Sequence, residues 1–450
     1  MKIVLIGVGK VGEKMVEYLS KSNHDIVIVD IDYKRVEALV NKYDVKGVVG
    51  GGVERSVLTD AEVSDADFFI ACTARDELNV LSCVMAKRLG AKNTVARVRS
   101  PEYFEEMETI RSVLGLDMVF NPEYRTAVEI ANLLKFPSAV GVESFAGGKA
   151  KLLEFHIEDG NPLIGRSVQN ILKESYVKVL FALVTRGNKV FIPKGDFVVA
   201  ENDSVHIIAS ESDLVLFSKK NHLFKRRSKS VFIVGGSRTA YYLAREFEGT
   251  DVAVKILDID PKRCKELSES LSQTTVLCGD GTDQSVLDEE RIDAANACVT
   301  LTGIDEENVL ISLYAAQKKV YKVITKVNRT SILKMVKNLG LESVVSPHTV
   351  IANHILQFIR SRMSNSGEGL NALYKISEKA EALEFTVGEK FKNKGVPLKS
   401  LKIRREVLIG GIVRDEEFIL PSGETYLMQG DKVIVVTTEK DINDLEQILR

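Results

Sequence analysis

The stretch Ile3-Val4-Leu5-Ile6-Gly7-Val8-Gly9-Lys10-Val11-Gly12, followed by Ile26-Val27-Ile28-Val29-Asp30, decides the fold. A β-branched run, a glycine-rich turn, a helical pattern and a second β-branched run ending on a carboxylate make one βαβ unit of the dinucleotide-binding kind. Gly7 permits the tight turn, Gly9 lets backbone N–H groups approach a pyrophosphate, and Gly12 lets helix and strand pack closely. The helix opening at Lys10 offers unpaired N–H groups and a partial positive charge to phosphates. Within it Val11, Met15 and Leu19 recur every fourth residue and form one apolar face for a sheet. Asp30 is placed to accept hydrogen bonds from both hydroxyls of an adenosine ribose, and its charge disfavours the 2′-phosphate of NADP. It does not separate NAD from ATP or ADP, which present the same diol.

Outward from this unit, β-branched runs continue at Val45–Gly50, Asp67–Thr73, Thr94–Val98 and Asp117–Phe120, alternating with helical patterns. That alternation predicts a parallel sheet with helices on its faces. The Thr73-Ala74 turn falls at the carboxyl edge of such a sheet, where ligands bind, and Arg97, ending the fifth strand, is placed to pair with a phosphate. Asn121-Pro122 precedes a helix expected over Tyr124–Leu134, with proline near its start. Residues 151–217 read differently. Strands at Leu152–Ile157, Val177–Val184, Val190–Ile192 and Val205–Ala209, a turn at Arg186-Gly187-Asn188 and a helix around Ser167–Leu172 describe a small strand-rich module.

The whole pattern then repeats. VFIVGGSRTA…VKILD at Val231 to Asp258 answers the opening motif, with Asp258 as the counterpart of Asp30. Asn79 returns as Asn308, and Gly195 of Ile192-Pro193-Lys194-Gly195-Asp196 returns as Gly423, at nearly the same offset along the chain. Asn202-Asp203-Ser204-Val205 answers Gly430-Asp431-Lys432-Val433. The chain is thus an end-to-end duplication, with a second connecting helix expected over Thr349–Ile359 after Ser346-Pro347. The second nucleotide motif is altered. Gly235 and Gly236 remain, but Ser237 puts a Cβ and a hydroxyl at the closest phosphate approach. Ala240 replaces the last glycine, Asp258 is kept, and Asp280 stands where the first copy has Gly51. Arg238 remains able to meet a phosphate from another angle. This copy reads as a vestigial or altered site.

With 450 residues, 45% apolar and 28% charged, the chain has the balance of a globular protein of several domains. A formal net charge of -2 offers no basic face for nucleic acid. Five cysteines with no C-x-x-C pair read as reduced core residues of a cytosolic protein. The N-terminus opens on a strand with no signal peptide, and no apolar stretch approaches the about 20 residues of a membrane span, so any membrane role is expected to run through a partner. Dehydrogenase chemistry needs a proton-transfer residue, and none of the six histidines falls in a catalytic pattern; His348 and His354, flanking a helix start, read as packing or solvent-facing. No metal-ligand spacing and no P-loop occurs. The basic stretch Lys219–Lys229 reads as a solvated linker rather than a phosphate- or lipid-binding segment.

Taken together, Gly7-Val8-Gly9-Lys10-Val11-Gly12, Asp30, Thr73…Asp76-Glu77…Asn79, Ala96-Arg97-Val98, Asn121-Pro122-Glu123 and the two Pro/Gly turns at Ile192–Asp196 and Leu420–Gly423 resemble the TrkA-type family of RCK (KTN) proteins along nearly the whole chain. The resemblance implies two Rossmann-like, doubly wound parallel-sheet domains, each followed by a small α+β RCK C-terminal (TrkA C) domain. The expected boundaries are 1–120 for the first Rossmann-like domain, 121–141 for crossover helix and linker, and 142–220 for the first C-terminal domain. After a basic linker at 221–229, the second set follows at 230–345, 346–372 and 373–450. It further implies a non-catalytic, cytoplasmic regulatory subunit, peripheral on the inner face of the cell membrane, that gates a Trk/Ktr-type potassium uptake channel in response to NAD(H) or ATP/ADP. The implied ligand contacts are Gly7, Val8, Gly9, Lys10, Val11, Gly12, Asp30, Thr73, Ala74 and Arg97, with Gly235, Gly236 and Asp258 in the altered copy. The implied partner is an integral-membrane potassium transporter of the TrkH, TrkG or KtrB kind. Gly51 departs from the acidic residue common after the third strand. An NAD-dependent oxidoreductase or a redox-sensing repressor would share the Rossmann unit, but a repressor also needs a helix-turn-helix and a basic face.

The connecting helices carry apolar stripes, Val128, Ile130, Leu133 and Leu134 in the first and Val350, Ile351, Ile355, Leu356 and Ile359 in the second. Such stripes usually mark an interface. The expectation is a homo-oligomer, a tetramer whose ring sits beneath the channel.

Overall fold

Runs that are apolar at every position, rather than at alternate ones, are buried on both faces. In the computed structural model they form the centre of two parallel sheets. The structure describes residues 1–20, 24–221, 223, 229–341, 343–363, 370–377, 379–439 and 442–449. Most of the basic linker and the end of the second connection, 364–369, lie outside the described residues.

The first sheet comprises β1 (Lys2–Ile6), β2 (Asp25–Asp30), β3 (Lys46–Val49), β4 (Phe68–Ala71), β5 (Asn93–Arg97) and β6 (Met118–Phe120), in the order β3-β2-β1-β4-β5-β6. All its pairings are parallel. Helices α1 (Lys10–Leu19), α2 (Tyr33–Lys42), α3 (Arg55–Asp60), α4 (Asp76–Leu89) and α5 (Pro101–Ile110) make the crossovers, and α6 (Pro122–Lys135) follows β6. The strand order reverses between β1 and β4, and such a switch point opens a crevice at the carboxyl ends of the strands.

An antiparallel sheet of β7 (Gly141–Phe145), β8 (Ala150–His156), β9 (Leu180–Arg186), β10 (Lys189–Phe191) and β11 (Ser204–Ala209) comes next, with α7 (Val168–Ser175) and α8 (Glu211–Lys220). The strand β7 has no counterpart in the sequence reading, because its residues alternate too weakly to mark it. The second parallel sheet holds β12 (Ser230–Val234), β13 (Ala253–Asp258), β14 (Thr274–Cys278), β15 (Ala297–Thr300), β16 (Lys322–Lys326) and β17 (Ser343–Val345), in the order β14-β13-β12-β15-β16-β17. Its helices are α9 (Arg238–Arg245), α10 (Pro261–Ser270), α11 (Gln284–Glu289), α12 (Asp305–Gln317), α13 (Thr330–Asn338) and the long α14 (Pro347–Met363). The last sheet is β18 (Leu370–Ser377), β19 (Ala380–Thr386), β20 (Val407–Arg414), β21 (Glu417–Ile419) and β22 (Lys432–Thr437). It repeats the topology of the first antiparallel sheet, but short 3-10 turns at Leu398–Ser400 and Leu445–Ile448 stand where the first copy has α7 and α8.

The backbone gathers into two compact units, residues 1–127 with 346–354 and residues 128–345 with 355–450. Both connecting helices are divided between the units: the opening residues of α6 and of α14 fall in the first, and the remainder of each falls in the second. In the second unit the two antiparallel sheets share one core, where Phe145, Leu152, Leu183 and Ile208 meet Ala382, Val413, Ile434 and Val436. Glu384 accepts the Ala146 N–H at 2.6 Å across that core.

This arrangement corrects the argument drawn from the apolar stripes. Ile130, Leu133, Leu134, Ile351, Ile355 and Ile359 are all buried within the single chain, and Val128, Val350 and Leu356 are half-buried. The tandem chain covers its own stripes, so they do not require a second copy. The cysteine reading is corrected at one position, since Cys278 is exposed while the other four are buried.

Candidate nucleotide sites at two sheet edges

The first site is built by the turn from β1 to α1. Gly7 has φ +87°, a left-handed conformation that favours glycine, and a Cβ there would stand 2.8 Å from the Thr73 backbone. A Cβ on Gly12 would run into the Gly7 carbonyl oxygen, which is the close helix–strand packing its position suggests. Gly9 is the N-cap of α1 and no side chain caps the helix, while the space a Cβ would take beside it is open. The N–H groups of the first turn are therefore left to an anion. Val8 and the Val11 side chain are buried, so these residues have only backbone to offer, and Lys10 is exposed.

Asp30 is 8% exposed and ties the turn together. Its Oδ2 accepts the Val8 N–H at 2.8 Å and its Oδ1 accepts the Asp32 N–H at 2.9 Å. Each carboxylate oxygen has a further lone pair to offer a ribose hydroxyl. Thr73 is half-buried beside Gly7, and Ala74 is exposed. The Arg97 guanidinium reaches the Cys72 carbonyl at 3.4 Å on the same edge, and its Nε is buried without a hydrogen-bond partner. Burial pulls its pKa down and the nearby Glu123 carboxylate pulls it up.

Two contributors were not among the expected ligand contacts. Asn79, fully buried at the start of α4, accepts both the N–H and the hydroxyl of Thr73 at 2.7 Å and donates to the Thr73 and Arg97 carbonyls. It holds the ends of β4 and β5 together under the site. Its recurrence as Asn308 was the available signal. Glu54 is the second: its carboxylate folds over Gly51, with Oε1 2.5 Å from where a Cβ on Gly51 would stand. An acidic group thus lies at the third strand's end from a neighbouring position.

The second half keeps the same skeleton. Gly235 has φ +101°, the Gly236 N–H donates to Asp258 Oδ2 at 2.5 Å, and Asn308 accepts the Thr302 N–H at 2.8 Å and donates to the Lys326 carbonyl at 3.2 Å. What differs is the anion end. Ser237 caps α9 with its own hydroxyl, which accepts the Ala240 N–H. Arg263, unremarked in the sequence, donates through Nε to the Gly236 carbonyl at 2.6 Å. A cavity of 600 Å³ opens here, lined by Gly235, Ser237, Asp258, Arg263, Asp280 and Glu307 among others. Among the described residues, no cluster of His, Cys, Asp and Glu is arranged to hold a metal, and no helix is long and apolar enough to cross a membrane.

Both halves thus carry a glycine turn, a strand-end carboxylate and a buried Asn at the switch point of a parallel sheet, each followed by an antiparallel sheet. The TrkA-N domain family matches residues 3–122 and 231–347, and the TrkA-C domain family matches 152–220 and 383–450. The chain belongs to the TrkA family. Its TrkA relatives include the Trk system potassium uptake protein TrkA homolog 1 of Methanosarcina mazei, 33% identical with all of both chains covered. The TrkA homolog of Archaeoglobus fulgidus is 31% identical over all of both chains. TrkA of Vibrio alginolyticus is 29% identical over all of this chain and 99% of its own. Among solved structures, the GsuK RCK domain shares the fold, with a TM-score of 0.63 at 19% identity over 98% of this chain and 92% of its own. The GsuK channel bound to NAD gives the same TM-score and identity, over 98% of this chain and 77% of its own.

Proposed function

We propose that this chain is the cytoplasmic, non-catalytic regulatory subunit of a Trk/Ktr-type potassium uptake channel and that an adenine nucleotide, NAD(H) or ATP/ADP, sets its state. The carrying observation is the uncapped N-terminus of α1 beside Asp30, in a chain that matches Trk system potassium uptake proteins from end to end. Phosphates lie on the free N–H groups of α1, Asp30 takes the ribose hydroxyls, and Arg97, with its unpaired buried Nε, meets phosphate charge. Asn79 links this edge to β5, and Glu123 on the first turn of α6 faces Arg97, so ligand charge at Arg97 is felt by the crossover helix. A ligand shifts the channel only by binding two conformations unequally, and about 1 to 3 kcal/mol of coupling is typical. The subunit works as a homo-oligomer, a tetramer, on the inner face of an integral-membrane transporter of the TrkH, TrkG or KtrB kind.

Calorimetry with NADH and ATP tests the site. Asp30→Ala is expected to weaken binding by about 1 to 3 kcal/mol, and unchanged affinity removes Asp30 from the ligand. Light scattering tests the assembly, since a monomer at micromolar concentration excludes the tetramer. Potassium flux through a co-reconstituted transporter tests the output, and flux indifferent to the subunit under every nucleotide tried excludes gating.

A further inference from the structure

The second half carries a pair of thiols that the first half lacks. Helix α10 begins at Pro261, just beyond the end of β13, and places Cys264 on its first turn. The Cys264 Sγ lies 3.3 Å from the Asp258 carbonyl oxygen and 3.4 Å from the Leu277 carbonyl oxygen, wedged between the ends of β13 and β14. These strands run parallel with Asp258 beside Cys278, so the residue after Leu277 presents its thiol at the same spot. The Cys278 side chain lies near enough to raise the pKa of the Cys264 thiol. Cys264 is 8% exposed, whereas Cys278 is open to solvent. In the first half Val36 takes the place of Cys264 on the corresponding helix, and Val49 occupies the register position of Cys278 beside Asp30. The other three cysteines are buried in cores, where burial pushes Cys72 and Cys298 up to about 12 and leaves them inert.

We propose that Cys264 and Cys278 form a reversible dithiol–disulfide site at the carboxyl edge of the second sheet, with a low-molecular-weight disulfide as the oxidant. Burial and the nearby Cys278 side chain push the Cys264 thiol up to about 11, so the exposed Cys278 is the sulfur that attacks first. Its thiolate breaks the S–S bond of the reagent, forms a mixed disulfide and releases one small thiol. Cys264 then gives its proton to solvent and attacks the Cys278 sulfur, releasing the second small thiol. Two protein thiols are oxidised and one small disulfide is reduced to two thiols. The bridge removes the thiol donor from the Asp258 carbonyl, and the same residue's carboxylate holds the Gly236 N–H at the mouth of the cavity. The chemistry of the pair stands independently of which ligand, if any, that cavity takes.

The test incubates the full chain with glutathione disulfide, alkylates the remaining thiols and maps peptides by mass spectrometry. The expected product is a linked peptide pair containing Cys264 and Cys278, two hydrogens lighter, with no retained glutathione, and dithiothreitol restores both thiols. Cys264→Ser should accumulate one glutathione on Cys278, and Cys278→Ser, altering only an exposed side chain, should leave Cys264 alkylatable only on unfolding. A stable glutathione adduct on wild-type Cys278 without the linked pair overturns the proposal, as does equal thiol loss in the Cys278→Ser chain.

Discussion

The two nucleotide-type edges differ in a way that separates scaffold from ligand contact. Both keep a left-handed glycine at the turn, a carboxylate on the next backbone N–H, and a buried Asn bridging the following two strand ends. These features hold the sheet edge in shape whether or not anything binds. The phosphate end is free to change: Gly9 leaves the helix N–H groups open, while Ser237 satisfies one internally and Arg263 covers the Gly236 carbonyl. The comparison teaches that Asp30 and Asp258 have a structural duty first, so their retention does not by itself mean that both halves bind the same ligand.

The harshest way to break the comparison is at the shared turn. Gly7→Ala and Gly235→Ala each force a Cβ within 3 Å of backbone at positive φ. Each is expected to destabilise its half by about 2 to 4 kcal/mol, from backbone strain and overpacking together. Limited proteolysis with denaturant titration checks this, and a turn that tolerates alanine in one half only would show that the scaffolds are not equivalent.

The crossover helices sharpen the comparison at an intermediate scale. Glu129 and His354 occupy the same position relative to the proline that opens each helix, so the copies differ in charge type there. Burial pushes Glu129 up to about 7, and burial together with the Glu129 charge pushes Glu143 well above the usual carboxylate range. Tyr374 is raised too, by burial first and then by Glu143, Glu154 and Glu129. A raised folded-state pKa means that the folded chain keeps protons the unfolded chain has released. The stabilisation is complete below the ordinary carboxylate range and is lost as pH rises from about 4.5 through about 7. The thermal midpoint should therefore fall between about pH 5 and about pH 8, by the equivalent of at least about 1.4 kcal/mol per unit of pKa difference. Glu129→Gln should flatten the profile, and an unchanged slope would place the proton elsewhere.

The smallest expected effect tests the anion end directly. Gly9→Ser copies the second half's cap into the first. It should lower adenine-nucleotide affinity by roughly tenfold, about 1.4 kcal/mol, while stability holds or gains about 0.5 to 1 kcal/mol from capping. Ser237→Gly should act in the opposite sense on the second cavity. Calorimetry paired with thermal melts reads both, and a Gly9→Ser chain that binds as well as wild type would remove the helix N-terminus from the site.

The parallel strands were legible within a residue or two because they are short, rich in β-branched residues and bounded by turn residues, as at Ile26–Asp30. The glycine turn was legible because Gly7 and Gly12 each answer a distinct steric demand and Gly9 leaves open space at the helix N-terminus. Ser237 was readable as a change of residue at that turn, although its capping role required the helix to be seen. Asn79 was visible as a repeated letter and a motif position but not as a strand tie: a polar residue's partners are set by which strand ends the fold brings together, and those lie 6 and 18 residues away. Arg263 and Glu54 were silent, since long side chains choose their contacts after the backbone is placed.

Local chemistry and repetition thus determined the two parallel sheets, their order along the chain and the difference in residue between the two glycine turns, because turn sterics and strand burial act over a few residues. Tertiary structure alone decided where the two units divide each connecting helix, that most residues of the apolar stripes are buried within one chain, and that Cys264 packs against the strand end that carries Cys278. The physical reason is that periodicity specifies which face of an element must leave water but not which surface covers it, and that choice is made by total burial across the whole chain.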